Sequence, residues 1–167
     1  MATIARQTNH ETDARPTTFS ARRIFGVAIL AVLVVVGASA CGPPAAPGLT
    51  FPEQQAALGL LNDYRTSQGF AALTPVAELN VKAQAQAQAM ADAGTLFHSD
   101  LKAGVSPGWS YLGENVAYAA DIATAQRSLV ASPPHRTNML DARFNQVGTG
   151  VVLKGGLYYV VQDFVQR

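Results

Sequence analysis

His98, Glu114 and His135 are the side chains whose types and separations could do chemistry together. Two neutral imidazoles and a carboxylate can hold Zn²⁺ with one position left open, or serve as base, acid and orienter of one reaction. Taken singly, each His reads more simply as a ring satisfied by a backbone carbonyl. Asn115 beside Glu114, and Arg136 and Asn138 beside His135, bring donors that suit a supporting role, tying loops to neighbouring backbone. The set has no nucleophile signature. Ser99 and Ser132 each sit near a His, but neither lies in a Gly-x-Ser-x-Gly elbow, and no phosphate-binding glycine loop occurs.

The elements that must position these groups follow from periodicity and punctuation. Pro52 and Glu53 open a first helix whose Ala57, Leu58, Leu61 and Tyr64 recur at helical spacing, with Asn62 and Arg65 as structural hydrogen-bonders on another face and Gly69 as its stop. Thr74-Pro75 starts a second helix that runs to about Ala93-Gly94. Its alternating Ala and Gln residues mimic a strand, but alanine propensity and the proline start favour a helix with a small-residue face packed on a sheet. His98 lies in the turn leaving that helix. Lys102 to Tyr111 reads as a loop with Trp109 as a plug over one end of the core, and Gly113-Glu114-Asn115 leads into a short strand or turn, Val116 to Ala120. Asp121 caps a third helix with Ile122, Ala125 and Leu129 on its apolar side, which Pro133-Pro134 should stop near Ala131 or Ser132. That places His135 on irregular backbone. Val147 to Leu153 and Leu157 to Val165 are strands joined by a hairpin at Lys154-Gly155-Gly156, and Gly148 and Gly150 let another segment come close.

Upstream of all this the chain has a different character. Residues 1–23 are polar and arginine-rich, and an unbroken apolar run of 17 residues, Ile24 to Ala40, follows. A basic flank, an apolar core and a small-residue exit make residues 1–40 a secretory signal, or an N-terminal membrane anchor, since about 17 residues is the lower limit for a span. Cys41 is the only cysteine, so no intramolecular disulfide can form. Its place at the end of the apolar run reads as a lipoprotein attachment site, with ordinary cleavage after Ala38-Ser39-Ala40 as the alternative. Residues 41–50 are a Pro/Ala-rich tether and 51–167 the folded domain. Of the 12 basic and 11 acidic side chains, four and two lie in the leader, which leaves the rest at a net of −1. That excludes nucleic acid, which needs a basic face, as the partner.

Leu61-Asn62-Asp63-Tyr64-Arg65, Phe97-His98-Ser99-Asp100, Gly113-Glu114-Asn115-Val116-Ala117 and Ser132-Pro133-Pro134-His135-Arg136-Thr137-Asn138-Met139-Leu140, in that order, resemble the bacterial branch of the CAP superfamily, also called SCP-like or cysteine-rich secretory/antigen 5/pathogenesis-related 1 domains. Pro134 stands where the bacterial motif has Gly, and Met139 where it has Ile. The resemblance covers nearly all of residues 53–165 and implies an α+β fold, a three-layer α-β-α sandwich with a small antiparallel sheet. It also implies a central cavity that in many relatives holds two His and two acids, sometimes with a divalent metal such as Zn²⁺. His98 and Glu114 match that pattern. The later His of the eukaryotic pattern has no counterpart before Phe144-Asn145-Gln146, and Asp100 and Asp141 are the candidates for the second acid. The expected role is that of an exported, envelope-associated, monomeric and non-enzymatic module that binds a small apolar ligand, a glycan or an envelope protein. The alternatives are a metal-dependent or acid–base hydrolase of cell-envelope material, and a polar cluster that only stabilises the fold.

Overall fold

The computed structural model describes residues 2–6 and 51–167. The signal or anchor run, the Cys41 site and the tether therefore lie outside the described residues. Among those described, no helix is long and apolar enough to cross a membrane. The elements in chain order are β1 (Ala2–Arg6), α1 (Pro52–Ser67), β2 (Thr74–Pro75), α2 (Ala77–Ala93), β3 (Tyr111–Ala119), α3 (Ile122–Ala131), α4 (Pro133–Met139), β4 (Gln146–Lys154) and β5 (Leu157–Gln166).

One five-stranded sheet in the order β1-β3-β5-β4-β2 forms the middle layer. The strands β3, β5 and β4 pair antiparallel over nine residues each, and the β4–β5 hairpin turns through Gly155 and Gly156, both at positive φ as a two-residue turn of this hand requires. Register assigns the faces. Leu112, Glu114 and Val116 on β3 share a face with Val165, Asp163 and Val161 on β5 and with Gly148 and Gly150 on β4, and α2 covers that face. Its Leu79 packs with Leu101, Trp109, Leu112 and Val165, and its Ala83, Ala87 and Met90 with Val116 and Val161. The other face meets α1, α3 and α4 through Leu61, Leu129, Met139, Val147, Val160 and Phe164. The result is the α-β-α sandwich expected.

The glycines of β4 explain how α2 sits so low. A Cβ on Gly148 would lie 2.2 Å from the Leu79 carbonyl carbon, and one on Gly150 would lie 2.1 Å from the Ala83 carbonyl oxygen. Helix backbone and strand backbone therefore touch, with the buried alanines completing the flat contact. From this height Asn80 Oδ1 accepts the Thr149 N–H, and Gln84 both accepts the Val151 N–H and donates to the Val151 carbonyl. These side chains satisfy the edge of β4 that the two-residue β2 leaves open, which is how a sheet edge is kept from pairing elsewhere.

Three local expectations need correction. Thr74-Pro75 does not start the second helix; it forms β2, parallel to β4, and the helix begins at Ala77 after Val76. Gly113-Glu114-Asn115 is not a lead-in but the middle of β3, buried on both faces. The prolines do stop α3 at Ala131, but they also occupy the first turn of a new helix, where a missing N–H costs nothing, so His135 is helical rather than on irregular backbone. Residues 2–6, at the start of the expected leader, add an edge strand that pairs antiparallel with Tyr111–Asn115. Other expectations hold: the Asp121 carboxylate accepts the Thr124 N–H as an N-cap, Gly94 ends α2 in the left-handed conformation, and Asn62 brackets Leu73 with two backbone hydrogen bonds.

Candidate functional site

Glu114 is the centre of the polar cluster. It sits in mid-strand with no exposed surface, so its charge needs donors close by. Three arrive from the turn that leaves α2. His98 Nδ1 lies 2.6 Å from Oε1, the Ser99 N–H donates to the same oxygen at 3.0 Å, and the Ser99 hydroxyl donates to Oε2 at 2.6 Å. The left-handed Gly94 turns the chain back toward the sheet so that residues 97–100 lie over β3. The other ring nitrogen of His98, Nε2, is a buried atom without a hydrogen-bond partner among the described residues.

A second acid stands directly across the ladder. Asp163 on β5 is the register partner of Glu114 on β3, on the same face and 2% exposed. Burial pushes its carboxyl well above the usual carboxylate range; Lys82 opposes that shift, and the adjacent Glu114 adds to it. Two facing carboxylates cannot both stay ionised cheaply, so the pair keeps a proton on Asp163. Lys82, reaching in from α2, closes the cluster. Its ammonium donates to the Ser99 hydroxyl and to the Asp100 carbonyl and lies 4.0 Å from Asp163 Oδ1.

Asn115, next along β3, points to the opposite face and organises a separate network of neutral groups. Its amide donates to the His135 carbonyl and to Gln162 Oε1, and its own carbonyl accepts from Asn138. Gln162 in turn donates to Gln126 on α3. Arg136 donates to the Val130 carbonyl and so ties α4 to the end of α3, the supporting role its sequence position suggested. His135 thus joins the site's scaffold through its backbone oxygen. The expected second acids go elsewhere: Asp141 pairs with Arg143, and exposed Asp100 accepts the Lys102 N–H.

The charged cluster borders a cavity of about 490 Å³ lined by Lys82, Gln86, Phe97, His98, Ser99 and Asp100, with Ala85, Ala103 and Gly104 completing the wall. It lies on the α2 side of the sheet. A model of the cysteine-rich secretory protein family, CAP, matches residues 58–164. The chain belongs to this family. The CAP match spans every residue of the charged cluster, from Lys82 on α2 to Asp163 on β5. Among solved structures, an extracellular protein containing an SCP domain from Bacillus anthracis superposes with a TM-score of 0.61 at 24% identity, covering 69% of this chain and 40% of that one. An outer surface protein from Borrelia burgdorferi gives 0.59 at 14% identity, covering 69% and 92%, and venom allergen-like protein 4 from Schistosoma mansoni gives 0.55 at 17%, covering 70% and 90%. At such identities these neighbours establish the shared CAP fold. No curated protein sequence matches the chain.

The divalent cation that the family resemblance implied does not fit the residues of this CAP domain as His98, Glu114 and His135 would have held it. Among the described residues no three His, Cys, Asp or Glu side chains are grouped to hold a metal ion. Both Glu114 oxygens already accept from protein donors, and the Lys82 ammonium takes the place beside Asp163 where a cation would sit. Sequence reasoning missed Asp163 and Lys82. Asp163 carried a usable signal, being the one carboxylate inside the apolar run Leu157 to Val165, where a buried charge demands a partner. Lys82 was masked by the Ala-Gln pattern around it.

Proposed function

We propose that the chain is an exported CAP-domain binding module, and that the cavity beside His98 takes a small ligand with apolar and polar parts, or the end of a glycan. The observation that carries this reading is the state of Ser99. Its hydroxyl donates to Glu114 and accepts from the Lys82 ammonium, so the one hydroxyl in the cavity beside an imidazole is held by a carboxylate and a cation rather than by a base. The groups around Glu114 thereby form a rigid charged floor, with Phe97, Ala85 and Ala103 as the apolar part of the wall. Export is supported by the apolar run Ile24 to Ala40 and by the extracellular and outer-surface proteins that share the fold. A lipid on Cys41, or the run itself, would keep the domain at the envelope.

The test is a titration with the amphipathic dye anilinonaphthalene sulfonate alongside assays on ester, peptide and peptidoglycan substrates. Wild type should bind the dye and turn over none of the substrates, and Ala85→Trp, which fills the cavity from an exposed position, should lose binding while remaining folded. An acid–base hydrolase is the second reading, favoured by His98 Nε2, which has no hydrogen-bond partner among the described residues and stands behind an orienting carboxylate. Turnover that disappears in a folded His98→Ala variant would replace the first reading with this one.

A further inference from the structure

We infer that the outer edge of β3 is an acceptor for an extended peptide strand, occupied in the full chain by its own N-terminus and offered to a partner's extended segment once the leader is removed. The structure shows the occupied state. Ala2–Arg6 pairs antiparallel with Tyr111–Asn115 in an unbroken five-residue register, Ala2 opposite Asn115 and Arg6 opposite Tyr111. The strand also lies against α4, so it fills a slot with the β3 edge as one wall and the helix that carries His135 and Asn138 as the other.

Two further observations mark this as a site rather than as part of the core. First, Ile4, at the centre of the strand, remains 44% exposed although it is a large apolar side chain. Second, the opposite end of the sheet is closed by built-in means, with β2, Asn80 and Gln84 satisfying β4, whereas no element of 51–167 pairs with the outer edge of Tyr111–Asn115. A bare five-residue edge is a template for strand addition, with main-chain hydrogen bonds giving affinity and alternate side chains giving selectivity. The residues seated there, Ala-Thr-Ile-Ala-Arg, indicate the occupant: an extended segment of small and β-branched side chains ending in a basic residue. If the leader is cleaved at or before Cys41, this strand leaves with it. The inference uses the β3 edge and not the cavity beside His98, so it stands independently of the binding reading above.

Backbone hydrogen exchange on the full chain tests it, comparing wild type with a Thr3→Pro, Ile4→Pro double variant. Because successive N–H groups of a strand point to opposite sides, two adjacent prolines remove a donor facing β3 whichever way the strand lies. Alternate amides within Tyr111–Asn115 should exchange about tenfold faster in the variant and recover when a synthetic peptide of residues 2–7 is added, while β5 amides stay unchanged. Trp109 fluorescence reports that the core is intact. Equal exchange in wild type and variant would overturn the inference by showing that the edge is not paired. Faster exchange without recovery at millimolar peptide would overturn it too. Recovery through concentration-dependent dimerisation instead, seen by gel filtration, would assign the edge to a second copy and overturn the peptide assignment.

Discussion

Replacing Gly150 by Ala adds a single methyl group and should destabilise the protein more than most deletions of a core side chain. The new Cβ would lie 2.1 Å from the Ala83 carbonyl oxygen, 2.2 Å from the Ala83 carbonyl carbon and 2.5 Å from the Gln84 nitrogen. Ordinary contacts between heavy atoms fall at about 3.5–4.0 Å, so α2 would have to lift from β4 by more than about 1 Å. All three atoms are helix backbone, which has no rotamer to yield. A gap of that size forfeits about a quarter to a half of the dispersion energy along the contact, and here the contact includes the fully buried Leu79, Ala83, Ala87 and Met90. The lift also stretches the hydrogen bonds from Asn80 and Gln84 to Thr149 and Val151. Overpacking alone costs about 1–3 kcal/mol, so with the strained hydrogen bonds a loss of at least about 3 kcal/mol is expected. Gly59→Ala is the internal control: it lies on the exposed face of α1 with nothing within 4 Å of the added Cβ, and should stabilise by about 0.5–1 kcal/mol through helix propensity. Urea unfolding followed by Trp109 fluorescence measures both. Because Lys82 rides on the same helix, Gly150→Ala should also weaken dye binding in the cavity. A Gly150→Ala variant within about 0.5 kcal/mol of wild type would refute the reasoning, since that would mean α2 has room above the sheet.

The remaining predictions concern the charged cluster. Asp163 keeps its proton in the folded state to a pH well above that of the unfolded chain. Its stabilising contribution is therefore complete below about pH 4 and is lost as pH rises toward the folded value, at up to about 1.4 kcal/mol per pH unit. Asp163→Asn should remove that slope and match or exceed wild-type stability at neutral pH; urea midpoints measured from pH 4 to pH 8 would sink the assignment if the two proteins kept parallel profiles. In a double-mutant cycle, His98→Ala and Glu114→Gln should couple by about 1 kcal/mol or more, whereas His98→Ala and Gln126→Ala, on opposite sides of the sheet, should add within about 0.5 kcal/mol. Equal coupling in the two cycles would mean that the sheet does not separate the networks.

Most of the fold was legible because its signals are local. The proline start of α1, the Gly94 stop of α2, the Asp121 cap of α3, the Gly155-Gly156 turn and the closeness implied by Gly148 and Gly150 each depend on a few adjacent residues. What sequence reasoning missed depends on distant partners. Thr74-Pro75 is a strand only because β4 runs beside it, some seventy positions on. Residues 2–6 are a strand only because β3 lies more than a hundred positions away. Strand β3 itself was read too short because it is buried on both faces and so lacks the polar–apolar alternation that marks a half-exposed strand.

The site divides for the same geometric reason. Glu114 and Asn115 are neighbours in one strand, and a period of two sends their side chains to opposite layers. A sequence motif that looks like one polar unit therefore serves two networks. On the α1, α3 and α4 side the groups are neutral amides paired with one another, Asn138 to Asn115, Asn115 to Gln162 and Gln162 to Gln126, an arrangement that fixes α3 and α4 to the sheet. On the α2 side they are charged, and one buried atom, His98 Nε2, is left without a hydrogen-bond partner among the described residues, beside a cavity that reaches solvent. A network whose only task is stability gains nothing from unsatisfied buried atoms, each of which costs about 1–3 kcal/mol. The expense falls on the face with the cavity, and so it is Glu114's side of the strand that the ligand should meet.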